Sequence, residues 1–376
     1  MIYIDVSAAV HSRAGLGRYS EQLALNLDRQ QPGRFALFHN QGQDGRLSPT
    51  LSHLPRRSVK AGYKPWRMAV LLAHLGRLSF NRLLPDAQLF HSTEHLLMPL
   101  HGVPTVLTVH DLIYKLYPAY HKKLNYWFLN LAMPLFCRRA AAIIAVSEAG
   151  RQDIIDHYQV EPAKIHVVYE AAADHFRPPP PEQVEAVRNK YGLPGRFLLH
   201  LSTIEPRKNL DRLVDALKIL RRDFPDLCLV LAGGKGWLYN DFFARIAAEN
   251  LETAVQPLGW VPDEDLPAVI AAAALAVQPS LYEGFGLPIL EHMACGQVVA
   301  ASHSSSHPEV GGQAAAYFDP ENTAEMTATI HRLLTDRDEY HHRRQLSLEQ
   351  AAQFSWTRAA QETIAIYDEL LEKHHS

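Results

Sequence analysis

Short apolar runs alternate with stretches of helical periodicity along this chain, and no other feature restricts its fold as tightly. IYIDVSAA, RFALFHN, AQLFHST, TVLTVHDL, AAAIIAVS and KIHVVYEAA each read as a buried strand. The pattern restarts with RFLLHLST, DLCLVLAGG, AVQPLGWV, LAVQPS and QVVAASHSS. Strands apolar on both faces belong to parallel sheets with helices above and below. The expectation is an α/β protein of two doubly wound parallel sheets, that is, two Rossmann-like domains. The break falls at FRPPPPEQ, Phe176 to Gln183, because four consecutive prolines fit no helix or sheet interior. That places an N-terminal domain at 1–178, a proline-rich linker at 179–190 and a C-terminal domain at 191–354. A length of 376 residues suits two cores better than one. From Ser355, SWTRAAQETIAIYDELLEK reads as a capped amphipathic helix.

In such sheets the loops at the carboxyl ends of the strands carry the sites, and two sheets facing a central cleft would pool theirs. The most suggestive loop is PSLYEGFGLPILEHMACG, Pro279 to Gly296. A strand, a turn with Gly284 and Gly286, and a helix opening at Leu287 and Pro288 aim backbone N–H groups and a helix dipole at an anion. Glu283 sits in the turn, and Glu291 lies about one turn inside the helix. A positive pole flanked by two carboxylates suits a ligand that is part phosphate and part polyhydroxyl. Two solvated glutamates drawn to a helix start would give the same spacing. Arg207 and Lys208 stand at a second strand–helix turn, IEPRKN, where Asn209 reads as the N-cap. Leu210, Leu213, Val214 and Leu217 form the buried stripe of the helix that follows. His110 and Asp111 end the strand TVLTV, a position that suits a site and also a turn with a satisfied histidine. Gly15 and Gly17 lie in a loop before a helix expected from Arg18 to Leu27. They resemble a phosphate-facing turn, although many first turns carry a glycine pair without a ligand.

The formal charge of −3 is unevenly spread, with 19 Lys and Arg against 12 Asp and Glu in residues 1–170 and 18 against 28 in the remainder. Between Asp44 and Asp86 no acid occurs. That gap holds Arg46, Arg56, Arg57, Lys60, Lys64, Arg67, Arg77 and Arg82, interleaved with Tyr63, Trp66, Met68 and Phe80. The stretch from Tyr114 to Arg139 is similar, aromatic with Lys122, Lys123, Arg138 and Arg139. Such mixtures suit an anionic membrane surface or nucleic acid, while for any one residue a solvated face serves as well. No signal peptide is read at the start, and no apolar run reaches the roughly 18 residues of a membrane span. Cys137, Cys228 and Cys295 read as reduced core residues of a cytoplasmic protein.

GLGRY (Gly15–Tyr19), TVHDL, AVSEAGRQDI, STIEPRKNL, LAGGKGW, LGWVPDEDL and SLYEGFGLPILEHMACG follow one another in that order. Together they resemble glycosyltransferase family 4, retaining enzymes of the two-domain GT-B fold, and are most similar to bacterial mannosyltransferases of surface polysaccharide or glycolipid assembly. The resemblance implies transfer of a hexose from a nucleotide-sugar donor, GDP-mannose favoured, to a glycan or lipid-linked acceptor. It implies no metal or other cofactor and no nucleic-acid partner. Glu283 would contact the donor sugar near its reacting carbon, and Arg207 and Lys208 would neutralise the leaving diphosphate. His110 would line the sugar pocket, Glu291 would hold the ribose, and backbone near Gly259, Trp260 and Val261 would grip the nucleobase. The tail helix, residues 355–376, would close on the N-terminal domain. The enzyme is then expected in the cytoplasm, peripheral on the inner face of the membrane.

Asp263-Glu264-Asp265 has the Asp-x-Asp spacing of a metal site, but it opens the helix LPAVIAAAA, where acids are expected against the dipole. Other readings remain open: a UDP-sugar-dependent transferase, a sugar-nucleotide epimerase of the same architecture, or a non-enzymatic nucleotide-sugar-binding module. An NAD dehydrogenase fits poorly, because Gly15-Leu16-Gly17 lacks the third glycine at the expected spacing.

Overall fold

The computed structural model describes residues 1–11, 14–41, 46–120 and 122–375. The chain forms two compact units, Met1–Glu170 with Ser355–Ser376, and Ala171–Phe354. The first is built on a seven-stranded parallel sheet of β1 (Ile2–Asp5), β2 (Phe35–Asn40), β3 (Arg56–Val59), β4 (Leu89–Ser92), β5 (Thr105–Val109), β6 (Ala142–Ala145) and β7 (Ile165–Val167). Their order is β3-β2-β1-β4-β5-β6-β7. Every residue of β1, β2, β4, β5 and β6 is buried, which is why these strands are apolar runs and not alternating ones. The helix Trp356–His375 packs on the helix Ala14–Gln30 of the same unit, with Tyr367 buried beside Phe35 and His91.

Two expectations about this unit change. Gly15 and Gly17 lie not in a loop but in the first turn of the helix Ala14–Gln30, which begins four residues earlier than expected. A Cβ on Gly17 would come within 3.1 Å of the Ala8 carbonyl oxygen, so the residue serves close packing on the short helix Ser7–Val10. The basic stretch forms edge strand β3 and the helix Tyr63–Leu75. Within it Trp66 is core, stacked on Phe80 at 5.4 Å, and Tyr114 of the second aromatic stretch is also core. Asp44, which bounds the acid-free stretch, lies outside the described residues.

The second unit carries a six-stranded parallel sheet of β8 (Phe197–Leu201), β9 (Cys228–Ala232), β10 (Val255–Gly259), β11 (Leu275–Gln278), β12 (Val299–Ser302) and β13 (Ala316–Phe318), ordered β10-β9-β8-β11-β12-β13. Alternate side chains feed two cores. Leu198, Leu229 and Leu231 join one, and Phe197, Leu199, Leu201 and Val230 the other. The proline run departs from the linker expected at 179–190. Pro181 opens the helix Pro181–Tyr191, where its missing N–H costs nothing, and Phe176 is buried in the second unit's core. The passage between units falls earlier, between Glu170 and Ala171.

Candidate active site

In the second unit, β8 leads through residues 202–205 to a tight turn, Pro206–Lys208. Gly233, at the end of β9, presses its backbone on this segment at φ +141°, and a Cβ there would lie 2.0 Å from the Ser202 carbonyl oxygen. Only glycine fits. Ile204 N–H donates to Gly234 O at 2.9 Å, and Gly236 N–H donates to Ile204 O at 3.1 Å. Asn209 does stand at the N-cap position of the helix Leu210–Leu220, but at φ +58° its side chain does not cap. Its amide instead donates to Pro279 O (3.0 Å) and Pro320 O (2.7 Å), tying the turn to the loop after β11. The expected stripe, Leu210, Leu213, Val214 and Leu217, is buried.

That tie brings Arg207 and Lys208 onto Glu283. Arg207 Nη1 lies 2.7 Å from Glu283 Oε2 and donates to Tyr282 O at 2.6 Å, while Nη2 meets Glu205 Oε1 at 2.6 Å. Lys208 Nζ donates to Glu283 Oε1 at 2.6 Å. The three side chains are only 8–14% exposed. Burial alone would raise the Glu283 carboxyl, but Arg207 and Lys208 outweigh it and hold the group well below the usual carboxylate range. Burial and the neighbouring Arg207 pull the Lys208 ammonium down despite its carboxylate partners.

The Glu283 loop is stapled from behind by the segment after β12. Ser302 and Ser304 hydroxyls donate to Ser280 O, Ser305 Oγ accepts from Glu283 N–H at 2.8 Å, and Ser306 Oγ donates to Glu283 O and Phe285 O. Gly286 turns at φ +108° over the His307 ring, 3.2 Å from where a Cβ would sit. The helix Leu287–Ala294 follows, with Pro288 in its first turn and Glu291 buried one turn in. Gly259 accepts a hydrogen bond from Gly233 N–H at 2.8 Å, Val261 is buried, and Trp260 is 73% exposed. Asp265 accepts from Lys190 (2.6 Å) and from Tyr191, which occupies the outer acid of the Asp-x-Asp spacing.

In the first unit His110 follows β5, buried. Its Nε2 donates to Thr93 O at 2.8 Å and its Nδ1 faces Glu170 Oε1 at 3.2 Å. Burial disfavours the imidazolium, but the Glu170 carboxylate prevails and the pKa is raised. The His110 ring packs edge-on against Tyr19 at 4.6 Å. Tyr19 OH meets Thr108 Oγ1 at 3.1 Å, and His91 bridges Thr108 (2.8 Å) to Tyr367 (2.6 Å).

Of the sequence-derived candidates, the structure gathers Glu283, Arg207 and Lys208 into one ion cluster. It sets Gly286, Leu287, Pro288 and Glu291 on the adjoining turn and helix, and leaves His110, Gly15 and Gly17 in the first unit. Sequence reasoning passed over the serine staple and gave Gly233 no role. A glycine pair at a strand end and the run SHSSSH directly after another strand were the available signals.

The chain matches the description Glycosyltransferase Family 4 over residues 13–172 and Glycosyl transferases group 1 over residues 183–350. It is 31% identical, over 94% of its length and 95% of the relative's, to O-antigen chain mannosyltransferase B of Escherichia coli. Among solved structures it is similar to sucrose-phosphate synthase of Thermosynechococcus elongatus, with a TM-score of 0.79 at 18% identity over 99% of both chains. Anabaena HepE in complex with UDP and glucose gives 0.75 at 19% identity, covering 98% of this chain and 99% of that one. At these identities the two structures speak for the fold.

Proposed function

The chain belongs to glycosyltransferase family 4 and has the GT-B fold, and on that premise we propose a retaining, metal-independent mannosyltransferase. It moves mannose from GDP-mannose to a glycan or lipid-linked acceptor at the cytoplasmic face of a membrane. The observation that carries this reading is the buried Glu283–Arg207–Lys208 cluster at a strand–turn–helix. When the bond between the anomeric carbon and the phosphate oxygen breaks, the electron pair leaves on the diphosphate and the sugar ring turns oxocarbenium-like. Arg207 and Lys208 offset the first charge, each charge-assisted hydrogen bond contributing about 1.5–3 kcal/mol. Phosphate oxygens reaching these cations loosen their hold on Glu283 and release a carboxylate oxygen toward the sugar, where its charge favours the positive ring. The acceptor hydroxyl attacks the face the diphosphate leaves, and its proton passes to a leaving phosphate oxygen. Glu291 holds the ribose. The name of the Escherichia coli relative supports mannose as the sugar and a polysaccharide as the acceptor.

The test is a thermal-shift screen of GDP- and UDP-sugars, followed by turnover with and without a chelator. GDP-mannose should stabilise the protein most and turnover should survive chelation. Preference for a UDP-sugar overturns the mannosyl assignment. Activity abolished by the chelator and restored by a divalent ion overturns metal independence.

A further inference from the structure

We propose that the paired helices Tyr63–Leu75 and Lys123–Arg139 of the first unit form a docking surface for anionic lipid headgroups, which rests on and sharpens the membrane placement above. Side-chain contacts join the two helices at two points, met in the same order along each. Arg67 donates to Asn125 at 2.7 Å and covers the Phe128 ring at 3.9 Å, and a turn or two further along His74 meets Phe136 and Arg139. Each helix buries one face, with Trp66, Val70, Leu71, Ala73 and His74 on one and Leu129, Ala132, Met133, Phe136 and Cys137 on the other.

The opposite faces are apolar as well. On the first helix Met68, Leu72 and Leu75 are 48%, 59% and 59% exposed; on the second, Leu124, Trp127 and Leu131 are 77%, 70% and 59% exposed. Spacings of three and four residues put each trio on one stripe. Six large exposed apolar side chains on two helices joined by side-chain contacts are a feature of the kind that marks an interaction surface.

Charge selects the occupant. Residues 45–85 and 112–147 contain no Asp or Glu. Exposed Lys60, Lys64, Arg77, Lys122, Lys123 and Arg138 flank the stripes. Apolar stripes on segments whose carboxylate-free sequence carries Lys and Arg complement a headgroup layer of phosphate anions over acyl chains, with Trp127 at the boundary. Among the described residues no helix is long and apolar enough to cross a membrane, so the contact is peripheral. Each cation held near such a surface strengthens binding about fivefold at low salt.

The whole chain, without donor or acceptor, is floated with vesicles of phosphatidylcholine alone or mixed with phosphatidylglycerol, at low and high salt. The protein should rise with the anionic vesicles at low salt and stay down with the neutral ones. Lys122→Glu with Lys123→Glu should weaken anionic binding at least about 25-fold, the combined effect of two lost cations. Leu72→Ser with Trp127→Ser and Leu131→Ser should abolish it. All five side chains are exposed, and thermal unfolding with and without donor checks that fold and sugar-nucleotide site are unchanged, which separates this surface from the catalytic reading. No flotation of the wild-type chain, or equal flotation of the variants, overturns the proposal. Self-association of the wild-type chain that the serine variant loses assigns the face to a second copy instead, and also overturns it.

Discussion

Glu283 answers to two charges at once. Its carboxylate is held by Arg207 and Lys208, the same cations that the proposed chemistry turns toward a diphosphate. A residue so placed can be charged at every working pH, since its pKa lies far below the usual range. Lys208 acts on charge that grows as the sugar–phosphate bond breaks, so Lys208→Ala should lower kcat about a hundredfold with the donor KM changed only a few-fold. Glu291, proposed to hold a ribose whose contacts do not change along the reaction, should behave oppositely. Glu291→Gln, near-isosteric at a buried position, should raise the donor KM about tenfold and leave kcat near the parent value. Steady-state kinetics on both variants checks the pair; the same pattern in each would mean the two residues do not divide the work in this way.

At the scale of elements, strand–turn–helix units were legible because a fully buried parallel strand is a short apolar run. Eleven such runs were read as strands and all eleven are strands; edge strand β3, RRSV, with three exposed residues, escaped for the same reason, and β13, AYF, escaped because three residues are too short a run. Arg207, Lys208 and Glu283 were legible as types at strand ends, but their mutual contact was not. It depends on Asn209 tying two loops 70 residues apart and on serine hydroxyls that bond to the backbone from a third. Nothing local announces such long-range hydrogen bonds. The same elements make the second unit acid-sensitive. His200 on β8, His292 in the helix Leu287–Ala294 and His307 beneath Gly286 are buried, and burial pulls their pKa values down to about 4, 3 and 4. Unfolded, each would titrate near 6.5, so below that pH the unfolded chain binds more protons than the folded one. Stability is therefore intact above about pH 6.5 and falls as pH drops toward about 4, by about 1.4 kcal/mol per pH unit per histidine. Denaturant titrations of the second unit at pH 7, 6 and 5 should show this slope, and His307→Asn should reduce it by about a third. A flat profile would mean the histidines reach solvent.

For the molecule as a whole, the first unit is discontinuous, since its sheet comes from residues 1–170 and its last helix from 355 onward. Trp356 and Tyr367 are buried beside Tyr19, Phe35 and His91. Deleting residues 355–376 should therefore lower the unfolding temperature of the first unit by 10 °C or more on the order of several kcal/mol lost, with the transition of the second unit unmoved. Two-transition calorimetry checks this, and a shift of both transitions alike would deny the units their independence. The arrangement also orders events during synthesis. A ribosome delivers β1 first, yet the unit containing β1 must wait for the last helix, while the second unit has all its strands some forty residues earlier. The half of the chain made second is the half that can finish first, and the half made first spends that interval with the apolar surface around His91 uncovered, in reach of chaperones.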